Sequence, residues 1–436
     1  MKKLFSKEII FCIFILSVSF CIACFNFIVD PYTVLSRKEN MELIRIPNPQ
    51  QLHIAIKAYK DRKCDTLFLG SSEMSCFFVF KSYFYSFFFN YLQYPFTSYK
   101  QEYQLLKDYL HFHPETKTVY LFLGYNAFFA KSNEREISVL KGDNFNLNEW
   151  VFLLFSLQTT MESFSRIKDN PALKNYIINF IHYISMNEEE RKTEKSLISL
   201  DEKIFRFNRY PKFVPLISLI DEESLKKTSK EDIEDINNIV KLLKEKNINL
   251  YIVFPPSHAI YQSIIYKRPF MQNFLDDLKR LSVEWTDNDV YDFAVINKYT
   301  ASDYLNNNYL FSNLDHSNGI YGINVFKMLH NNINKDGICI RLNKQNIEKQ
   351  LIYEKELVKK YIEQNNETVD MFLYGNENLG IIATAEPEKV TFEKAPEDIR
   401  KDIELYLYNF KKINEKIENK SIEQGRFDNE FYPSLP

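Results

Sequence analysis

The chain has 436 residues, 45% hydrophobic and 26% charged, the balance of a folded protein with room for two or three units, which excludes wholesale disorder. A formal net charge of −3 offers no global positive surface, so nucleic acid is not an expected partner. Six cysteines, three of them inside the N-terminal apolar stretch, form neither a disulfide framework nor a CxxC zinc pair.

The first element is an uncharged run, Ile9–Val29, preceded by Lys2, Lys3 and Lys7. At about 1.5 Å rise per residue it can cross a hydrocarbon core of roughly 30 Å, and the flanking lysines favour a cytoplasmic N-terminus. Three readings fit this run: an uncleaved single-pass anchor, a signal peptide, whose apolar core needs only about 7–15 residues, and lipidation at Cys24. Its length favours the anchor, and all three place the rest of the chain outside the cytoplasm. Asp30-Pro31-Tyr32 ends the run. Residues 31–59 read as a stalk, 60–340 as the main domain with a helical insertion at about 142–225, and 341–436 as an acidic, mostly helical extension.

Three short segments are apolar throughout: Thr66–Leu69, Val119–Leu123 and Leu250–Phe254. The helical spacing of Gln104–Leu110 precedes the second, and Ile233–Lys246, with Ile236, Ile239, Val240 and Leu243 on one face, precedes the third. Buried strands that follow amphipathic helices predict a doubly wound, flavodoxin-like parallel α/β sheet. Further helices are expected at Ile347–Gln364 and Ile399–Ile417, flanking a turn at Tyr374-Gly375-Asn376. The 38 Phe and 28 Tyr are more than a ligand platform requires, so the aromatic run Phe77–Phe96 reads first as core.

In a parallel sheet, ligands bind beyond the carboxyl ends of the strands. Gly70-Ser71-Ser72-Glu73 follows the first strand, Gly124-Tyr125-Asn126 the second, and Asn313-Leu314-Asp315-His316 lies downstream. A serine hydroxyl needs a histidine to take its proton and a third group to orient the ring. Ser72 and His316 suit those roles, with Asn313 or Asp315 orienting the ring; adjacent side chains rarely point together, which weighs against Asp315. The N–H of Gly124 and the amide of Asn126 suit an oxyanion. Ser71, Glu73 and His258, just beyond the third strand, are candidate lining residues. The plainer alternatives are a helix cap at Ser71 or Ser72, turn positions at Asn126 and His316, and loop packing at His258. No P-loop, G-x-G-x-x-G or HExxH pattern occurs, so neither a nucleotide cofactor nor a metal is expected.

These blocks, in this order, resemble those of the SGNH (GDSL-like) hydrolases over roughly residues 60–332. The resemblance implies Ser72 as nucleophile, Asn126 as oxyanion donor and His316 as base. Asn313 stands where the family has aspartate, and no glycine occurs between Glu73 and Lys117, where the second block has one. The layout is similar to that of anchored SGNH-like proteins of bacterial envelopes, several of which modify acyl groups on exported polysaccharides or teichoic acids. It implies a membrane-anchored extracytoplasmic serine esterase or O-acyltransferase acting on an acylated envelope polymer. The alternative is a catalytically silent scaffold that binds a glycan or an envelope-assembly protein.

Overall fold

The computed structural model describes residues 7–29, 65–71, 73–74, 90–93, 98–128, 151, 154–156, 159–161, 163–164, 207–209, 221–303, 310–317, 321–322, 324–325, 328–329, 334, 337–374 and 388–390, with backbone alone at 7–12, 28–29, 90–93, 126, 207–209, 312 and 388–390. The expected stalk, Ser72, most of the insertion, the turn at Gly375 and the helix Ile399–Ile417 lie outside these residues. The chain divides into two compact units, Met1–Lys63 with Asp108–Pro114 and Ile137–Ser199, and Cys64–Lys107 with Glu115–Glu136 and Leu200–Pro436.

In the first unit the apolar run forms one helix, α1 (Lys7–Val29). Among the described residues no helix is long and apolar enough to cross a membrane. Near its end Asn26 is buried against helical pieces within residues 151–164.

The second unit is an α/β fold around a mixed, mainly parallel sheet. In chain order its elements are β1 (Thr66–Gly70), β2 (Asn90–Gln93), α2 (Tyr99–Phe112, which runs on into residues of the first unit), β3 (Thr118–Phe122), β4 (Phe207–Arg209), α3 (Glu222–Glu245), β5 (Asn249–Phe254), α4 (Ala259–Tyr266), α5 (Pro269–Trp285), β6 (Val290–Asp292), β7 (Phe311–Asn313), β8 (His316–Ser317), β9 (Ile340–Leu342), α6 (Ile347–Tyr374) and β10 (Glu388–Val390). The sheet order is β2-β1-β3-β5-β6-β9. The first five strands are parallel, and β9 closes the edge antiparallel to β6. Strand succession runs outward on opposite sides of the β1/β3 pair, so the crevice of the sheet opens at the carboxyl ends of those two strands.

The apolar runs become strands because successive side chains are buried on both sheet faces. Leu67, Phe68 and Leu69 in β1 and Ile252, Val253 and Phe254 in β5 are all buried, and each such residue contributes about 1.5–3 kcal/mol. Aromatic residues fill part of this layer: Phe68, Tyr120 and Tyr251 stack at 4.8 and 4.9 Å across three adjacent strands.

α3 starts where the Asp221 carboxylate accepts from the Ser224 N–H at 2.8 Å, and it buries Ile236, Ile239, Val240 and Leu243. α5 begins at Pro269, whose fixed φ and missing N–H suit a first helical position. α6 bends at non-helical Asn365 and is tied to α4 by Lys267–Asp370 and to α5 by Lys279–Glu354 and Arg280–Glu348. Residue 340, the expected end of the main domain, is the first residue of β9, and α6 packs within this same unit.

Candidate active site

Three chain segments meet at the carboxyl end of the sheet. The first leaves β1: Gly70 pairs with Phe122 of β3, and a Cβ on Gly70 would lie 2.7 Å from the Phe122 Cβ, so only glycine fits. The chain then turns through Ser71 and Glu73, both buried, with the Met74 N–H donating to Ser71 O at 3.1 Å.

The second segment leaves β3 through Gly124 into a 3-10 turn, Tyr125–Phe128. The two segments are pressed together. A Cβ on Gly124 would fall on the Glu73 carboxylate and 2.8 Å from Ser71 Oγ. Glycine at 124 is therefore the condition for Glu73 to lie over this turn. The backbone of Asn126 is in the turn, and its side chain lies outside the described residues, as does all of Ser72.

The third segment is the β7–β8 hairpin, whose turn is Leu314-Asp315 and which pairs Asn313 with His316. It is held to the end of β5 by His258, whose backbone N–H donates to Leu314 O at 2.8 Å. The His258 ring caps α4, Nδ1 accepting from the Ile260 N–H at 3.2 Å, while Nε2 lies 2.8 Å from Ser302 O. Because Nδ1 accepts, Nε2 carries the proton and donates to that carbonyl. The buried ring is thus engaged at both nitrogens in holding loops together, the packing role that was one of the two readings of His258.

His316 is set differently. Its Nδ1 lies 3.0 Å from Asn313 Oδ1 and 3.0 Å from Asp315 Oδ1. A carboxylate only accepts, so Nδ1 bears the proton and Nε2 is the nitrogen with the lone pair in the neutral ring, the tautomer a general base needs. Both candidate orienting residues reach the ring, because a two-residue turn does not alternate its side chains as a strand does.

Burial opposes charge on this imidazole, which is 20% exposed, but the charge and hydrogen bond of Asp315, with the more distant charge of Glu73, outweigh it and hold the His316 pKa above the usual histidine value. Glu73 is thus an electrostatic neighbour of His316. The buried phenols of Tyr99 and Tyr261 also feel Glu73; desolvation first, and then surrounding carboxylates, push both pKa values well up, so both remain neutral. Tyr99 OH donates to Gly124 O at 3.4 Å.

Beyond β5 and β6 lies a second buried group. Lys279 of α5 is ion-paired to Asp292 at the end of β6 and, at 2.5 Å, to Glu354 of α6. Asp292 also accepts from the Ala294 N–H at 2.8 Å. Burial disfavours a charged Lys279, yet the two carboxylates overcome it and raise its pKa well above the usual value. Tyr125, beside Gly124, is buried within reach of the charges of both groups.

Sequence reasoning missed Tyr99, Tyr261, Lys279, Asp292 and Glu354. Tyr261 follows His258 by one helical turn and Asp292 ends a strand, the two positional signals present. Searches of protein-family models, curated proteins and solved structures find no match to the chain.

Proposed function

We propose that the chain is a membrane-anchored, extracytoplasmic serine esterase or O-acyltransferase of the SGNH (GDSL-like) kind, acting on acyl groups of a cell-envelope glycan or other polymer. Its core would be a flavodoxin-like doubly wound sheet with a helical insertion and an α-rich C-terminal extension. The observation that carries the reading is His316: a ring whose Nδ1 is held by Asp315 and Asn313, within the electrostatic reach of Glu73 on the loop that contains Ser72.

In this reading Ser72 Oγ attacks the acyl carbonyl as His316 Nε2 takes its proton, and Asp315 stabilises the imidazolium. The Gly124 N–H and the Asn126 amide receive the oxyanion. His316 then returns the proton to the leaving alcohol. The acyl group passes from Ser72 to water in an esterase, or to a polymer hydroxyl in a transferase. The anchor is supported by α1, a single helix about 34 Å long. Its exposed Phe14, Ile15, Leu16, Val18 and Phe20 point to all sides at about 100° per residue, as a lipid-facing helix requires.

Fluorophosphonate labelling of the full chain in detergent, with peptide mapping and a Ser72→Ala control, tests the chemistry. An adduct on Ser72 that is lost in the variant supports an activated serine. A folded sample without adduct sinks the enzyme and favours the second reading, a silent scaffold for a glycan or envelope-assembly partner. Two observations favour that rival: Asn313 replaces the family's aspartate, and the Glu73 carboxylate lies on Gly124, where negative charge opposes an oxyanion.

A further inference from the structure

Within the first unit, the hydrogen bonding of the Asn26 side chain is complete. Nδ2 donates to Leu154 O at 2.8 Å and to Thr160 Oγ1 at 3.0 Å, while Oδ1 accepts from Ser163 Oγ at 3.0 Å. Ser156 extends the cluster: its hydroxyl lies 2.7 Å from Thr159 Oγ1 and accepts from the Thr159 N–H at 3.0 Å, and its carbonyl accepts from Thr160 Oγ1 at 3.0 Å. Asn26, Thr159 and Ser163 are buried. A polar cluster satisfied from within is what a hydrocarbon surrounding demands, since lipid offers no replacement partner.

Beside that cluster, four of the described side chains are apolar and exposed. Val151, Phe155, Met161 and Phe164 are 47, 46, 63 and 62% exposed. Val151 and Phe155 are four residues apart, and Met161 and Phe164 three apart, so each helical piece presents an apolar edge. The Phe164 ring packs 4.8 Å from that of Phe25 on α1, which makes this surface continuous with the apolar surface of the helix. Charged side chains and bound elements would normally cover an apolar area of this kind.

We propose that the helical pieces carrying Val151, 154–156, 159–161 and 163–164 form a second membrane-contacting element, lying in the outer interface with their apolar edges in the acyl region and clamped through Asn26 to the point where α1 leaves the bilayer. The proposal rests on reading α1 as an anchor. Asn26 precedes the last residue of α1 by about 4.5 Å along the axis. Contact at that level lies within the outer ~5–10 Å of the apolar layer, the depth of interfacial helices. The occupant is the lipid itself, because the exposed edges adjoin a helix whose own exterior requires lipid. The two contacts together would fix how this unit stands on the bilayer, which a single helix with free rotation does not.

The test uses the full chain in lipid nanodiscs, with a photoreactive phenylalanine analogue placed singly at Leu16, Phe155, Phe164 or, as a control, exposed Lys241. Lipid adducts are expected at positions 16, 155 and 164 and none at 241. Adducts at 16 without lipid adducts at 155 and 164, including crosslinks there to a second copy, overturn the interfacial element and leave the anchor standing. No adduct at 16 overturns both. Asn26→Leu should cut the yield at 164 several-fold while leaving that at 16 unchanged; an unchanged yield at 164 overturns the clamp.

Discussion

The two charged groups at the carboxyl end of the sheet meet the same problem, charge out of water, in opposite ways. Around Lys279 two carboxylates hold the lysine pKa well above the usual value, so the cation persists, while burial pushes the Glu354 carboxyl up to about 7. Around His316 the cation is optional, because an imidazole carries its charge only below its pKa. Asp315 and Glu73 therefore face a ring that gains its charge on taking a proton and loses it again, with a pKa held above the usual histidine value. The first group ties α5, β6 and α6 together through its ion pairs; the second belongs to the proposed site.

Four changes would break or sharpen that division. The largest effect is expected from His316→Ala: labelling of Ser72 should fall by about 10³-fold or more with the fold retained, because the serine loses its base. A variant that labels at the wild-type rate would remove His316 from the mechanism. Next, Lys279→Met should cost about 3–5 kcal/mol in denaturant unfolding, since it leaves Asp292 and Glu354 buried together without a cation. Adding Asp292→Asn should recover part of that loss. A cost below about 1 kcal/mol would show that solvent already screens the network.

Gly124→Ala is expected to cost about 1–3 kcal/mol, because the new methyl must displace the buried Glu73 carboxylate. Glu73→Ala should make the same substitution nearly neutral. If the two effects simply add, Glu73 does not press on the turn in solution.

What the sequence made legible follows from burial. β1, β3 and β5 read as strands because both faces are covered and their central positions are apolar. β6 and β9 have only three residues each, Val-Tyr-Asp and Ile-Arg-Leu, and carry no such run. The positions just beyond β1 and β3 were legible from the strands, and Ser71, Glu73 and Gly124 do lie against one another there. Lys279 and Glu354 were not legible, because each sits in a helix rich in charged residues and nothing local distinguishes an inward lysine from an outward one. Loop packing was one reading of His258, but its partner was not legible, because Ser302 O lies 44 residues away. Asp315, weighed down because adjacent side chains rarely point together, does reach the ring, since it sits in the two-residue turn of the hairpin.

The smallest and most specific change is expected from Asp315→Asn. In the folded chain the His316 pKa is raised above the usual value of about 6.5, so the protonated ring stabilises the fold. That contribution is fully present below the unfolded value and is lost as pH rises through the folded one. Replacing the carboxylate by an amide keeps the shape but removes the charge, while burial, which lowers the pKa, remains. The His316 pKa should therefore fall. Relative to wild type, Asp315→Asn should lose stability on the acid side of about pH 6.5, and the difference should narrow above the wild-type folded pKa. The pH at which labelling of Ser72 becomes half-maximal should move down as well, because the base is neutral sooner. An NMR titration of the His316 ring reads the shift directly. An inflection that stays in place or moves up would mean that Asn313 orients the ring and Asp315 does not govern its charge.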